Sequence, residues 1–100
     1  MAATETVSHS ATNSLSTTDV DTITFTRLAG RGTSLLVTNV SGTTILGVTL
    51  DGSTPVSEGN DSYQVPAGTT LEFIGPPNTA TTGPVVKIIG NANKYIAQLV

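Results

Sequence analysis

From position 20 to the C-terminus, short runs of Val, Ile, Leu and Thr alternate with clusters of Gly, Pro, Asn and Asp. No apolar period of helical length persists, so the pattern is that of strands. Over 21–28 (DTITFTRL), Ile23 and Phe25 fall on one face and Thr22, Thr24 and Thr26 on the other, and Ala29-Gly30-Arg31-Gly32 then turns the chain. The run 34–39 carries Leu35, Leu36 and Val37; after Asn39-Val40-Ser41-Gly42 the run 44–50 puts Leu46, Val48 and Leu50 on one face. These two runs are predicted to pair as a hairpin. Asp51-Gly52 is the next turn, because Gly accepts the positive φ a tight turn demands. Further on, Tyr63 alternates with Val65, Pro66-Ala67-Gly68 turns the chain, and Leu71 and Phe73 point one way. The stretch 75–84 (GPPNTATTGP) reads as an irregular loop before two final strands over 85–89 and 95–100. Such spacing predicts an all-β protein: a small antiparallel β-sandwich, Ig-like or jelly-roll-like, of about 7–8 short strands.

Residues 1–19 differ. Between Met1 and Val20 only Val7 and Leu15 are sizeable apolar side chains, too few to build a core. The expected organisation is therefore a polar, extended N-terminal arm over 1–19 and a β-sandwich domain over 20–100. Such an arm is either a free tail or a strand that orders on a neighbouring subunit. In the second case Val7, Leu15 and Val20 are the candidate anchors for the partner. Arg27 and Arg31, flanking a glycine turn, are candidate contacts to an acidic neighbour.

Composition narrows the function. The chain has 100 residues, a formal charge of -3 and 11% charged residues, against 19 Thr and 9 Ser, so hydroxyls replace ions as its surface chemistry. Four basic residues (Arg27, Arg31, Lys87, Lys94) do not make a phosphate-binding patch, and no nucleic-acid partner is expected. No apolar run approaches the roughly 18 residues of a membrane span, and no membrane partner is expected. The N-terminal stretch lacks the basic start and apolar core of a secretory signal, so export by that route is not expected. The absence of Cys excludes disulfides and thiolate chemistry. A folded chain of this mass exposes about 5,300 Å² and buries a modest core, which suggests that a partner or self-association adds stability.

Candidate chemistry is sparse. His9 is the single histidine, with no titratable neighbour in sequence to orient it, and no phosphate loop or metal-binding motif occurs. Loop acids Asp19, Asp21, Asp51, Glu58 and Asp61 are better explained as turn formers than as a calcium site. The sequons Asn39-Val40-Ser41 and Asn60-Asp61-Ser62 also read as turns. Glycan binding is a minor alternative, since Tyr63 and Tyr95 both fall in alternating patterns that suggest core or interface. No catalytic, cofactor or metal residues are assigned, and the chain is not expected to be an enzyme.

Three segments, 34–56 (SLLVTNVSGTTILGVTLDGSTPV), 61–77 (DSYQVPAGTTLEFIGPP) and 85–100 (VVKIIGNANKYIAQLV), carry a shared style. It consists of an Asn-x-Ser-Gly turn, a strand ending in Leu-Asp-Gly-Ser-x-Pro, a Val-Pro-x-Gly turn, and a late Val-Lys-Ile-Ile-Gly leading to a tyrosine. In these segments, about half the chain, the sequence resembles small β-sandwich virion proteins of tailed bacteriophages. That resemblance implies a capsid decoration or cement protein, made in the host cytoplasm and placed on the outer capsid surface. Its partner would be the major capsid protein, and it would form a cyclic homo-oligomer, with a trimer favoured. A tail, neck or head-fibre component is the alternative.

Overall fold

The computed structural model describes residues 3–15, 19–41 and 43–100, with Ser41 described in its backbone alone. Among them are nine strands and no helix: β1 (Thr4–Val7), β2 (Ser10–Ser14), β3 (Asp21–Phe25), β4 (Ser34–Ser41), β5 (Leu46–Thr49), β6 (Tyr63–Val65), β7 (Thr70–Ile74), β8 (Val85–Ile89) and β9 (Lys94–Leu99). They form two sheets, β1-β3-β8-β5-β6 and β2-β9-β4-β7. The protein is an all-β sandwich.

The pairing is nested: β2 pairs β9, β3 pairs β8, β4 pairs β7 and β5 pairs β6, all antiparallel. Successive nested pairs alternate between the two sheets, and β4/β9 and β5/β8 stitch them together. A long hairpin rolled up in this way is a jelly roll, so the strand order selects that topology over an Ig-like one. It also corrects the expected hairpin between 34–39 and 44–50. Those runs became β4 and β5, which lie in different sheets. The connection between them crosses the sandwich, and a short polar turn serves a crossing as well as a hairpin.

Alternation places one side chain in two between the sheets. Ile23, Phe25, Leu35, Val37, Leu46, Val48, Val65, Val86, Ile88, Tyr95, Ala97 and Leu99 are buried there, with Leu71 and Phe73 packed at the rim. The total surface of 5183 Å² is close to the roughly 5,300 Å² expected of a folded chain of this mass.

The N-terminal segment is not an arm. β1 runs parallel to β3, from Thr4↔Thr22 to Val7↔Phe25, and β2 runs antiparallel to β9, from Ser10↔Gln98 to Ser14↔Lys94. The chain changes sheets at Ser8 and His9, and Ala11 and Leu15 enter the core. A segment unable to build a core of its own completes one made by others. Its alternation is present but half polar: the inward positions are Glu5, Val7, Ala11 and Asn13, with Thr or Ser between them. Residues 1, 2 and 16–18 of the expected arm, and Gly42 of the expected turn, lie outside the described residues.

Residues 53–57 cross over the outer face of β5. Thr49 Oγ1 donates to the Ser53 carbonyl at 2.7 Å, and Ser57 Oγ donates to the Ile45 carbonyl at 2.6 Å. A Cβ on Gly47 would overlap the Val56 carbonyl, so only glycine fits beneath this crossing. We expect Gly47→Ala to cost about 1–3 kcal/mol, read from urea unfolding midpoints. Ala92, by contrast, sits at φ 58, where a Cβ is a liability. Ala92→Gly is expected to raise stability by about 0.5–1 kcal/mol in the same assay.

Candidate functional site

Two buried polar clusters are the natural places to look for chemistry. In the first, Asp21 of β3 and Tyr95 of β9 meet across the two sheets. Tyr95 Oη donates to Asp21 Oδ2 at 2.8 Å, and the Ala3 amide donates to Asp21 Oδ1 at 2.8 Å. Asn13 Nδ2 donates to Tyr95 Oη at 3.2 Å and to Glu5 Oε1. Desolvation by burial raises the Tyr95 pKa well above its ordinary value; the hydrogen bond from Asn13 opposes this, and the Asp21 bond and the Asp21 and Glu5 charges add to it. A buried phenol with a raised pKa, bonded on both sides, is too weak an acid and too enclosed for general acid–base work at neutral pH.

The second cluster ties the turns together at one end of the sandwich. Asn39 Nδ2 donates to the carbonyls of Thr44 and Val65, both at 3.0 Å. Asn93 Nδ2 donates to Asn39 Oδ1 at 3.1 Å and to the Thr44 carbonyl at 2.9 Å, while Thr44 Oγ1 and the Asn91 amide donate to Asn93 Oδ1. Among the described residues no buried side-chain polar atom lacks a partner. Both clusters are closed, and their work is structural. His9 is exposed at the bend between β1 and β2, and no group of three or more metal-ligating side chains occurs among the described residues.

The surface offers more. On the outer face of the β2-β9-β4-β7 sheet, Val100, Ser34 and Ile74 form one row: Ser34 opposes Ile74, and Ser34 and Val100 exchange backbone hydrogen bonds at 3.0 and 2.8 Å. Ile74 is 79% exposed and Val100 56%. Half-buried Leu36 and Ile96 follow on the same face, among Ser10, Thr12, Ser14, Thr38, Thr70 and Gln98; Glu72 and Lys94 are its charges among the described strand residues. Next to this row lies the 26–33 loop, with Leu28 at 61% exposure between exposed Arg27 and Arg31. The loop is held there because the Ala29 amide donates to Asn78 Oδ1 at 2.8 Å, Asn78 Nδ2 donates to the Ala29 carbonyl at 3.2 Å, and the Gly75 amide donates to the Thr33 carbonyl at 2.8 Å.

Of the residues expected to bind a partner, Leu15 is buried in the core, Val7 is half-buried against it, and Val20 is half-buried just before β3. Leu15 and Val7 therefore anchor the chain to its own sandwich. Arg27 and Arg31 are exposed in the loop that leads through Thr33 into β4. Ile74 and Val100 were overlooked, although the parity of Leu71/Phe73 and of Tyr95/Leu99 already points both outward.

A second surface feature is an open depression of about 730 Å³ between the 50–62 and 75–84 connections. Asp51, Ser53, Asp61 and Ser62 line it together with Leu50, Tyr63 and Pro77. Tyr63, whose alternation suggested core or interface, is 55% exposed and so lies outside the core. β6 is a three-residue edge strand, and Tyr63, at its first position, meets the Phe73 ring edge-on at 4.9 Å and 75° rather than entering the core. Asp51 Oδ1 accepts from the Ser53 amide at 3.0 Å and from Ser53 Oγ at 2.5 Å, and these bonds hold its pKa below the usual carboxylate value.

The Tyr95 seam makes a pH prediction. Its folded pKa is raised above the unfolded value of about 10, so the stability from its retained proton is complete below that pH and is lost as pH climbs toward the folded value. Tyr95→Phe should cost about 1–3 kcal/mol at neutral pH, because buried Asp21 loses a donor, and should fall less steeply than wild type above pH about 10 in chemical denaturation. Comparison with family models, curated proteins and solved structures returns no match to this chain.

Proposed function

We propose that the protein is a structural component of a tailed-phage virion: a capsid decoration protein that binds the outer surface of the assembled head and stabilises it. The carrying observation is the exposed row of Ile74 and Val100, with exposed Leu28 in the loop that leads into β4, on a jelly roll whose described buried polar side-chain atoms are all paired. Apolar side chains this exposed gain nothing from their own fold and gain from burial against a partner. The likeness of three segments to phage virion β-sandwiches supports the reading, as does the use of jelly rolls as capsid building blocks.

The mechanism is mechanical. A protein that binds only the assembled lattice stabilises it by mass action, and a cyclic oligomer, a trimer in this proposal, multiplies weak contacts by engaging several at once. The contact moves from the arm to the outer sheet face: Ile74, Val100 and Leu28 supply apolar area, while Arg27 and Arg31 steer toward acidic groups of the major capsid protein. A hydroxyl-rich face is well suited to this, since Thr and Ser have less side-chain entropy to lose than Lys or Glu.

Ile74→Lys should reduce occupancy on purified heads at least about tenfold, while the outward position leaves the unfolding midpoint nearly unchanged. Full occupancy of the variant would remove this face from the interface. Copy number locates the protein: near parity with the shell protein on a quantified gel of virions means the head, and a few copies mean a tail, neck or head-fibre part.

A further inference from the structure

We infer that the depression between the 50–62 and 75–84 connections is a binding site for a neutral saccharide. It lies apart from the Ile74 row and does not depend on the virion reading.

The lining selects the ligand class by elimination. Its charged groups are Asp51 and Asp61, with no Lys, Arg or His, so phosphates, nucleotides and acidic peptides are repelled. Two carboxylates are few for a hard cation, which takes six to eight oxygens, and no third His, Cys, Asp or Glu joins them among the described residues. A wholly apolar ligand would strip water from two carboxylates and two serine hydroxyls without replacing those hydrogen bonds. An amine would meet the carboxylates, but these are exposed, and an exposed ion pair adds little in water.

A sugar uses what remains. One edge of a pyranose is a row of hydroxyl donors, which carboxylate oxygens accept, and its other face is a patch of C–H groups, which an aromatic ring covers. Both kinds of group are present, and both are held before any ligand arrives. The edge-on contact with Phe73 fixes Tyr63. Asp51 is fixed through Oδ1 by the amide and hydroxyl of Ser53. On the other side, Ser62 Oγ accepts the Val56 amide at 2.9 Å, and Asp61 sits at φ 63, a left-handed conformation that Asp tolerates. Groups already in place lose little freedom on binding, which is what a small polar ligand requires. The open shape, with a volume in the range of small-molecule sites, admits one or two rings of a longer chain.

The experiment is a titration of the ¹⁵N-labelled full chain, followed by ¹H–¹⁵N NMR, with maltotriose, mannotriose, galactotriose and triacetylchitotriose; glycerol and spermidine serve as comparators. We expect at least one trisaccharide to shift the amides of Leu50 to Ser53 and Asp61 to Tyr63 saturably, with a Kd on the order of 1 mM. Tyr63→Ala should weaken that binding about tenfold, Tyr63→Phe should retain it, and Asp51→Asn should weaken it less than Tyr63→Ala. Unchanged spectra elsewhere in the variants establish that the sandwich is intact. The inference is overturned if no trisaccharide gives saturable shifts up to about 50 mM, if glycerol gives the same shifts, or if the shifts lie elsewhere. It is equally overturned if spermidine alone binds and is released by about 0.5 M salt, which would make the site an amine site.

Discussion

Every strand from β2 to β9 has its nested partner on the other arm of a long hairpin, and the fold stands on that pairing. The outermost pair, β2 with β9, joins residues near both ends of the chain, Ser10 with Gln98 among them. β9 is not peripheral, because it lies between β2 and β4 and carries Tyr95, Ala97 and Leu99 into the core. Nothing closes until the last strand is in place. Such non-local order is slow to assemble, since loop entropy is lost before contacts compensate it. The two polar clusters bear on that problem. A one-residue slip of β9 would turn Tyr95 outward, leave buried Asp21 Oδ2 without its donor, and separate Asn93 from Asn39, so register is fixed by polar satisfaction as well as by apolar fit.

How much of this could be read from the chain varies by position, for physical reasons. Alternation in the central runs placed Ile23 and Phe25, and Leu46 and Val48, on the faces that turn inward, because each inward position there is filled by an unambiguous apolar residue. It failed in the N-terminal segment, where the inward positions include Glu5 and Asn13. Asn13 is inward because Tyr95, 82 residues away in sequence, is there to accept its amide hydrogen, and Glu5 is inward to accept from Asn13. A pairing partner that distant leaves no local trace. Sheet membership was lost for a similar reason: the turn after β4 has the composition of a hairpin loop, and only the burial of Asn39, whose amide bonds to both Thr44 and Val65, shows the chain crossing to the other sheet. For Tyr63 alternation left core and interface both open, because it fixes a face but says nothing about how near that position is to the rim.

The edges of the two sheets bear on assembly. Exposed strand edges invite pairing with other chains, and proteins with many charges blunt them with Lys or Glu. Here charges are few, and the edges are limited by length: β1 has four residues, β6 three, and β2 and β7 five each. β7 adds an outward Glu72. Association through added strands is thereby disfavoured, and side chains are left as the means of contact.

What those side chains offer is divided in space. The apolar row of Ile74 and Val100 lies on a sheet face, where a broad partner surface can cover it; the depression at Tyr63 and Asp51 lies between loops, where something narrow must enter. A flat face gains affinity from area and from many copies acting together, whereas a small recess gains it from fixed groups that fit one chemistry. The jelly roll permits both because it spends neither on its own stability. Its core is closed by inward residues, its buried polar atoms are paired, and the outward residues of β7 and the 50–62 connection are left available for contact. A sandwich anchored by one face and presenting its loops would hold the recess toward solvent, where a saccharide could reach it.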